Sequence, residues 1–302
     1  MSYEQLLTET ALKDERVVVM TAENRALVRN MGRTLGNRFI DTGITEQTMI
    51  GMAAGLALRG RVPIVHALAP FLTMRAFEFI RTDIGIANLP VKLSGYIPGF
   101  LSDGNGPTHQ AIEDVSLMRG IPGMEVYCPA DEDDLLKMLP AVWASPHPAY
   151  VRINHTKGEW EHQPFEPGKA ETIAEGRDIT LLVHGFLFKN AQRAKYLLEQ
   201  QGFSVGLINM RSLKPVDEAA IIQCALHSES LVTVEDHLLT GGLYSIVAEV
   251  LLRARISAHV IPLALKERWF KPGLLTHVLD HEGFTPVQIA ERVVRELQTV
   301  KK

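Results

Sequence analysis

The sequence predicts an α/β fold made of two parallel-sheet-based domains, and three observations carry that reading. Short apolar runs such as Arg16-Val17-Val18-Val19-Met20 and Ile179-Thr180-Leu181-Leu182-Val183 alternate with longer amphipathic stretches. Runs of that length, apolar throughout, suit strands covered by helices on both faces. The pattern occurs twice, on either side of a stretch dominated by Lys, Glu, Gly and Pro, and 302 residues suffice for two domains of ordinary size. The expected division is a first domain over residues 1–157, a linker over 158–177 and a second domain over 178–302.

In chain order, residues 1–15 read as a helix and Arg16–Met20 as the first buried strand. Thr21-Ala22-Glu23-Asn24 follows at that strand's carboxyl end, where open α/β sheets place ligand contacts, so Glu23 is a candidate. Phe39 and Ile40 end the next strand, Gly43 makes the turn, and Gln47 opens a helix. The small residues Gly51, Ala53, Ala54 and Gly55 would let another backbone approach that helix. At the junction stands Glu46, one acid in apolar company. Either it complements the helix dipole, or it sits dry and needs a partner to carry its charge.

Val62–Ala67 is another strand, and Pro70–Arg81 the helix after it, with Phe71 near its start. Leu89–Ser94 is a strand opening into Gly95–His109, a stretch too rich in Gly and Pro for helix or sheet. Such a loop after a parallel strand is a ligand-contact site, and His109 at its end can relay protons near neutral pH. A helix over Gln110–Arg119 would carry Glu113 and Asp114 in its first turn. Met124–Pro129 is a strand, and the acids of Asp131-Glu132-Asp133-Asp134 read as a solvated, dipole-favoured helix start rather than a metal site. Pro148–Ile153 completes the first set of strands. The second unit follows with strands at Asp178–Gly185, Val205–Met210 and Leu231–His237, and an amphipathic helix over Lys189–Gln201.

Composition narrows the function class. A net charge of −4 offers no basic face for nucleic acid or an anionic membrane. No apolar run approaches the ~20 residues of a membrane span, and Met1-Ser2-Tyr3-Glu4-Gln5 is too polar for a signal peptide. Cys128 and Cys224 lack metal-ligand spacing and read as buried thiols in a reducing compartment. A soluble, cytoplasmic protein is expected.

Two segments taken together are more specific. Gly43-Ile44-Thr45-Glu46-Gln47 and Gly106-Pro107-Thr108-His109-Gln110-Ala111-Ile112-Glu113-Asp114 resemble the pyrimidine-binding domain of the transketolase family of thiamine diphosphate enzymes. Val234-Glu235-Asp236-His237 followed by Gly241-Gly242-Leu243 resembles that family's C-terminal domain, where it serves assembly more than chemistry. The resemblance implies transfer of a two-carbon ketol unit from a ketose to an aldose. It makes Glu46 the catalytic acid at N1′ of the cofactor's aminopyrimidine, with Phe71 against the ring face and Glu23 near the cofactor and subunit contact. It further makes His109 catalytic and a ligand of donor-sugar oxygens, Asn105 a contact to a donor hydroxyl, and Arg152 the grip on a phosphate or other anionic terminus.

The family's diphosphate-binding domain, with its Gly-Asp-Gly…Asn motif, has no counterpart in this sequence. The nearest string, Asp103-Gly104-Asn105-Gly106, lies in the substrate-side loop. The resemblance therefore implies a separate diphosphate-binding partner subunit, holding Mg2+ or Ca2+ with no metal ligand from this chain, in an α2β2 assembly. Two departures concern the substrate. Asn105 stands where many members carry an aspartate, and Ile97 where many carry a phosphate-binding histidine. Both favour a sugar with an altered terminus, sulfonated or branched, over an ordinary sugar phosphate. The rivals are a deoxyxylulose-phosphate-synthase-like decarboxylating ligase subunit and a non-catalytic assembly subunit. Below them ranks the β subunit of a 2-oxoacid dehydrogenase, whose histidine loop differs.

Overall fold

A computed structural model describes residues 1–300. The first sheet has seven strands in the order β10-β5-β6-β4-β3-β1-β2. These are β1 Val17–Thr21, β2 Phe39–Asp41, β3 Val62–Leu68, β4 Lys92–Tyr96, β5 Glu125–Tyr127, β6 Ala149–Ile153 and β10 Ser212–Lys214. All its neighbours run parallel except β10, which lies antiparallel to β5. The second sheet runs β12-β11-β8-β9-β7, with β7 Glu171–Ala174, β8 Ile179–Val183, β9 Val205–Asn209, β11 Ser230–Leu238 and β12 His259–Leu265. β1, β6, β8 and β9 are buried along their whole lengths, as strands covered on both faces must be. Among the described residues no helix is long and apolar enough to cross a membrane.

Residues 158–177, read as a linker, are more than a tether. They contain β7, which joins the second sheet antiparallel to β9, and the buried His162. Of their polar side chains His162 and Glu171 are buried, while most of the others face solvent. β10 crosses the other way: it follows β9 in the chain but pairs with β5 of the first sheet. β10, at the edge of the first sheet, thus ties the two units together.

Two local expectations change. Pro70–Arg81 is not one regular helix: a π-helical turn spans Phe71–Arg75, an α turn Phe77–Phe79, and a second π segment Ile80–Gly85. Ala76 breaks the run, with φ −101° and ψ 13°. The helix expected from Gln110 begins at Asp114, because Gln110 is extended and Gln110 and Ile112 are bonded to the second domain. There Gln110 donates to the Phe270 carbonyl at 2.8 Å and Leu238 N–H donates to the Ile112 carbonyl at 2.8 Å. On helix Glu46–Leu58, Ala53 and Ala54 are buried, while Gly51 and Gly55 meet no second backbone among the described residues. A Cβ on Gly55 would have nothing within 4 Å, and one on Gly51 only Asp83 Oδ2 at 3.8 Å.

Candidate active site

Glu46 is the first residue of its helix and only 2% exposed. Apolar neighbours bury the carboxylate, and the helix N-terminus alone would not offset that burial. Its partner is Arg75, whose Nη1 lies 3.2 Å from Oε1 and 3.0 Å from Oε2. The same guanidinium lies over the Phe71 ring, with Cζ 4.0 Å from the ring centre. Ring and cation lie four residues apart on one π-helical turn, and such turns recur at functional sites.

Phe71 also meets His109 edge to face, with centres 5.0 Å apart and planes at 65°. His109 Nδ1 is 2.9 Å from the Thr108 hydroxyl, which fixes the ring's orientation and leaves Nε2 free of protein partners among the described residues. Glu46, Arg75, Phe71 and His109 therefore form one continuous cluster from three segments distant in sequence. Phe71 and His109 are half-buried, so the cluster is open on one side. Asn105 is exposed in the same loop as His109, with its amide donating to the Ser102 carbonyl at 2.8 Å.

Two candidates stand apart. Glu23 is exposed, at φ 71°, in a shallow hollow with Arg25, Arg29 and Asp41. Its backbone N–H donates to Asp41 Oδ1 at 3.1 Å. Arg152 is 3% exposed, and protein groups already hold its guanidinium. Its Nε donates to Asp114 Oδ2 at 2.9 Å, its Nη1 to Asp236 Oδ1 at 2.6 Å and its Nη2 to the Ala111 carbonyl at 3.3 Å. Burial works against the charge, yet Asp114 and Asp236 hold its pKa well above the ordinary arginine value. Asp236 also accepts from Phe100 N–H at 3.3 Å, and Gly99, at φ 55°, sits where any Cβ would collide with that carboxylate. Arg152 thus anchors both ends of the loop that carries Asn105 and His109.

The acids at Asp131–Asp134 are corrected. Asp131 and Asp134 are buried rather than solvated, because the second domain closes over them. His162 bridges Asp131 Oδ2 at 3.0 Å and Glu171 Oε2 at 2.7 Å, while Arg211 pairs with Asp134 Oδ1 at 2.9 Å. Burial opposes a charged imidazole, but hydrogen bonds from Asp131 and Glu171 outweigh it and push the His162 pKa up to about 10. Asp134, His162 and Glu171 have metal-ligand chemistry, yet their facing atoms are already spent on one another, on Asn209 and on Arg211.

Sequence reasoning missed Arg75. The signal was present, since a dry acid demands a counter-charge and Arg75 is a lone cation four residues past Phe71. Also unforeseen is a stacked pair at the carboxyl ends of adjacent strands β4 and β6. Tyr96 and His155 lie 5.1 Å apart, with Oη to Nε2 at 3.2 Å.

A planar, hydrogen-bonding heterocycle fits the cluster: a buried carboxylate faces one edge of the slot, a phenyl ring its face, and a planar cation already satisfies both. Residues 1–159 match the pyrimidine binding domain of transketolase, and residues 168–289 the transketolase C-terminal domain. The 6-deoxy-6-sulfo-D-fructose transketolase subunit SqwH of Clostridium sp. (strain MSTE9) is 37% identical over 293 residues, covering 95% of this chain and 91% of that protein. The 1-deoxy-D-xylulose-5-phosphate synthase of Dictyoglomus turgidum (strain DSM 6724 / Z-1310) is 34% identical over 269 residues, and the match spans 87% of this chain but 43% of that enzyme. Among solved structures, a split gene transketolase described as an inactive beta4 tetramer matches with a TM-score of 0.89 at 30% identity, over 98% of this chain and 97% of that one. The chain belongs to the transketolase family.

Proposed function

We propose that this chain is the pyrimidine-side subunit of a split transketolase, active in an α2β2 complex with a partner that holds the diphosphate and its Mg2+ or Ca2+. The observation that carries the reading is the buried Glu46 carboxylate beside the Phe71 face and His109. When bound, thiamine diphosphate supplies the carbon nucleophile for transfer of a two-carbon ketol unit. Glu46 holds a proton at N1′ of the aminopyrimidine, and the low-dielectric setting gives that hydrogen bond its strength. Phe71 packs against the ring face, and the edge-on contact orients His109. His109 Nε2 exchanges a proton with a donor-sugar hydroxyl, and Asn105 offers amide groups to the same sugar. Glu23, on the exposed rim, faces the subunit contact. Two free cysteines, Cys128 and Cys224, suit a cytoplasmic setting.

The substrate proposal is a ketose whose far end carries a sulfonate in place of a phosphate. Ile97 brings no charge to the loop, and Arg152 is committed to Asp114 and Asp236. The end-to-end relative that acts on 6-deoxy-6-sulfo-D-fructose adds support. Tyr96 and His155, the polar pair at the carboxyl ends of β4 and β6, would contact that terminus with hydrogen bonds suited to a singly charged sulfonate.

A reconstitution assay tests both levels. The chain, its partner, thiamine diphosphate and Mg2+ should transfer a two-carbon unit from 6-deoxy-6-sulfo-D-fructose to an aldose phosphate. Preference for xylulose 5-phosphate with ribose 5-phosphate overturns the substrate proposal. Release of CO2 from pyruvate instead establishes the decarboxylating reading, which the 34% identity to a deoxyxylulose-phosphate synthase favours. Full activity after Glu46→Ala would leave only an assembly role.

A further inference from the structure

Arg75 uses the two surfaces of the Glu46 slot that the cofactor would need. Its Nη1 reaches both carboxylate oxygens of Glu46, at 3.2 and 3.0 Å, and its guanidinium covers the Phe71 ring at 4.0 Å. A guanidinium is planar, donates hydrogen bonds in its plane and stacks by its face. An aminopyrimidine ring has the same plan: polar edge to the carboxylate, face to the phenyl ring. Both cannot occupy one carboxylate edge and one ring face together.

The two partners of the pair are also unequal in exposure. The Glu46 side chain is 2% exposed, whereas that of Arg75 is 39% exposed. The acid has no route to water, while the cation needs only side-chain rotation to reach it. Arg75 also ends its π-helical turn, at the break made by Ala76. Nothing else among the described residues bonds its guanidinium.

We infer that Arg75 is a placeholder for the cofactor's aminopyrimidine: in the unloaded subunit it satisfies Glu46 and keeps the Phe71 face from collapsing, and it turns out to solvent as the cofactor enters. This rests on the cofactor reading given above. It makes Arg75 a positioning residue that trades affinity for a correctly held, open slot. Without it the free state carries an unpaired buried carboxylate, so the free state rises in energy while the loaded state does not change.

Isothermal titration of thiamine diphosphate, with Mg2+, into the reconstituted complex tests this. Arg75→Gln should bind about tenfold more tightly than the wild type, an effect of about 1.4 kcal/mol. The unloaded Arg75→Gln complex should melt at a lower temperature, and saturating cofactor should close that gap. Arg75→Lys keeps the charge without the planar face and should fall between the two, and it carries the test if Arg75→Gln fails to fold. Wild-type binding with equal or weaker affinity in both variants overturns the placeholder and leaves the cofactor reading standing. Failure of the wild type to bind, with Glu46→Gln no different, overturns the cofactor reading and the placeholder with it.

Discussion

Two arginines of this protein meet buried acids in opposite ways. Arg75 approaches Glu46 from the solvent side and makes no other hydrogen bond among the described residues. Arg152 lies wholly inside, divided among Asp114, Asp236 and a backbone carbonyl, at the seam between the domains. His162, between Asp131 and Glu171, repeats the second arrangement on the other side of that seam. The difference separates site from scaffold. A charge closed into a network has no capacity left for a ligand and serves to fix geometry. A buried charge whose partner can leave retains that capacity.

Substitutions can break this contrast, and the largest effect is expected inside the seam. Arg152→Ala strands two buried carboxylates, so urea denaturation should show a loss of about 3–5 kcal/mol. A loss below about 1 kcal/mol, the range of exposed pairs, would erase the distinction. Glu46→Gln should act on function instead: kcat of the reconstituted complex should fall about 10²–10⁴-fold. Its unloaded melting temperature should stay near the wild type's, since the freed Arg75 turns to water. Most gradual is the pH effect at His162, which is spread over several pH units. Its folded pKa, about 10, lies above its ordinary 6.5, so its stabilisation is complete below about 6.5 and is lost as pH rises toward about 10. Unfolding free energy should fall over that window by at most about 1.4 kcal/mol per pH unit. His162→Gln should flatten the slope; an unchanged slope would assign it to other groups.

What the sequence leaves open in three regions has one physical cause. Arg152 sits at the end of a strand where an anion-binding arginine would also sit, and only the opposing Asp236, 84 residues away, decides which it is. Asp131 and Asp134 read as an ordinary acidic helix start until His162, Asn209 at the end of β9 and Arg211 just after it reach them. Residues 158–177 have a linker's composition, but β7 finds a sheet edge to join.

By itself the sequence determined the α/β architecture, the positions of nine of the strands and the candidate status of Glu46, Phe71 and His109. Those features follow from local periodicity and from short motifs, and both are written within a few residues of one another. Only the tertiary structure decided which charges face each other. It joined Glu46 to Arg75 across 29 residues and closed Arg152 between two domains. Pairing and burial are properties of distance in space, and a linear pattern of residue types carries no measure of that distance.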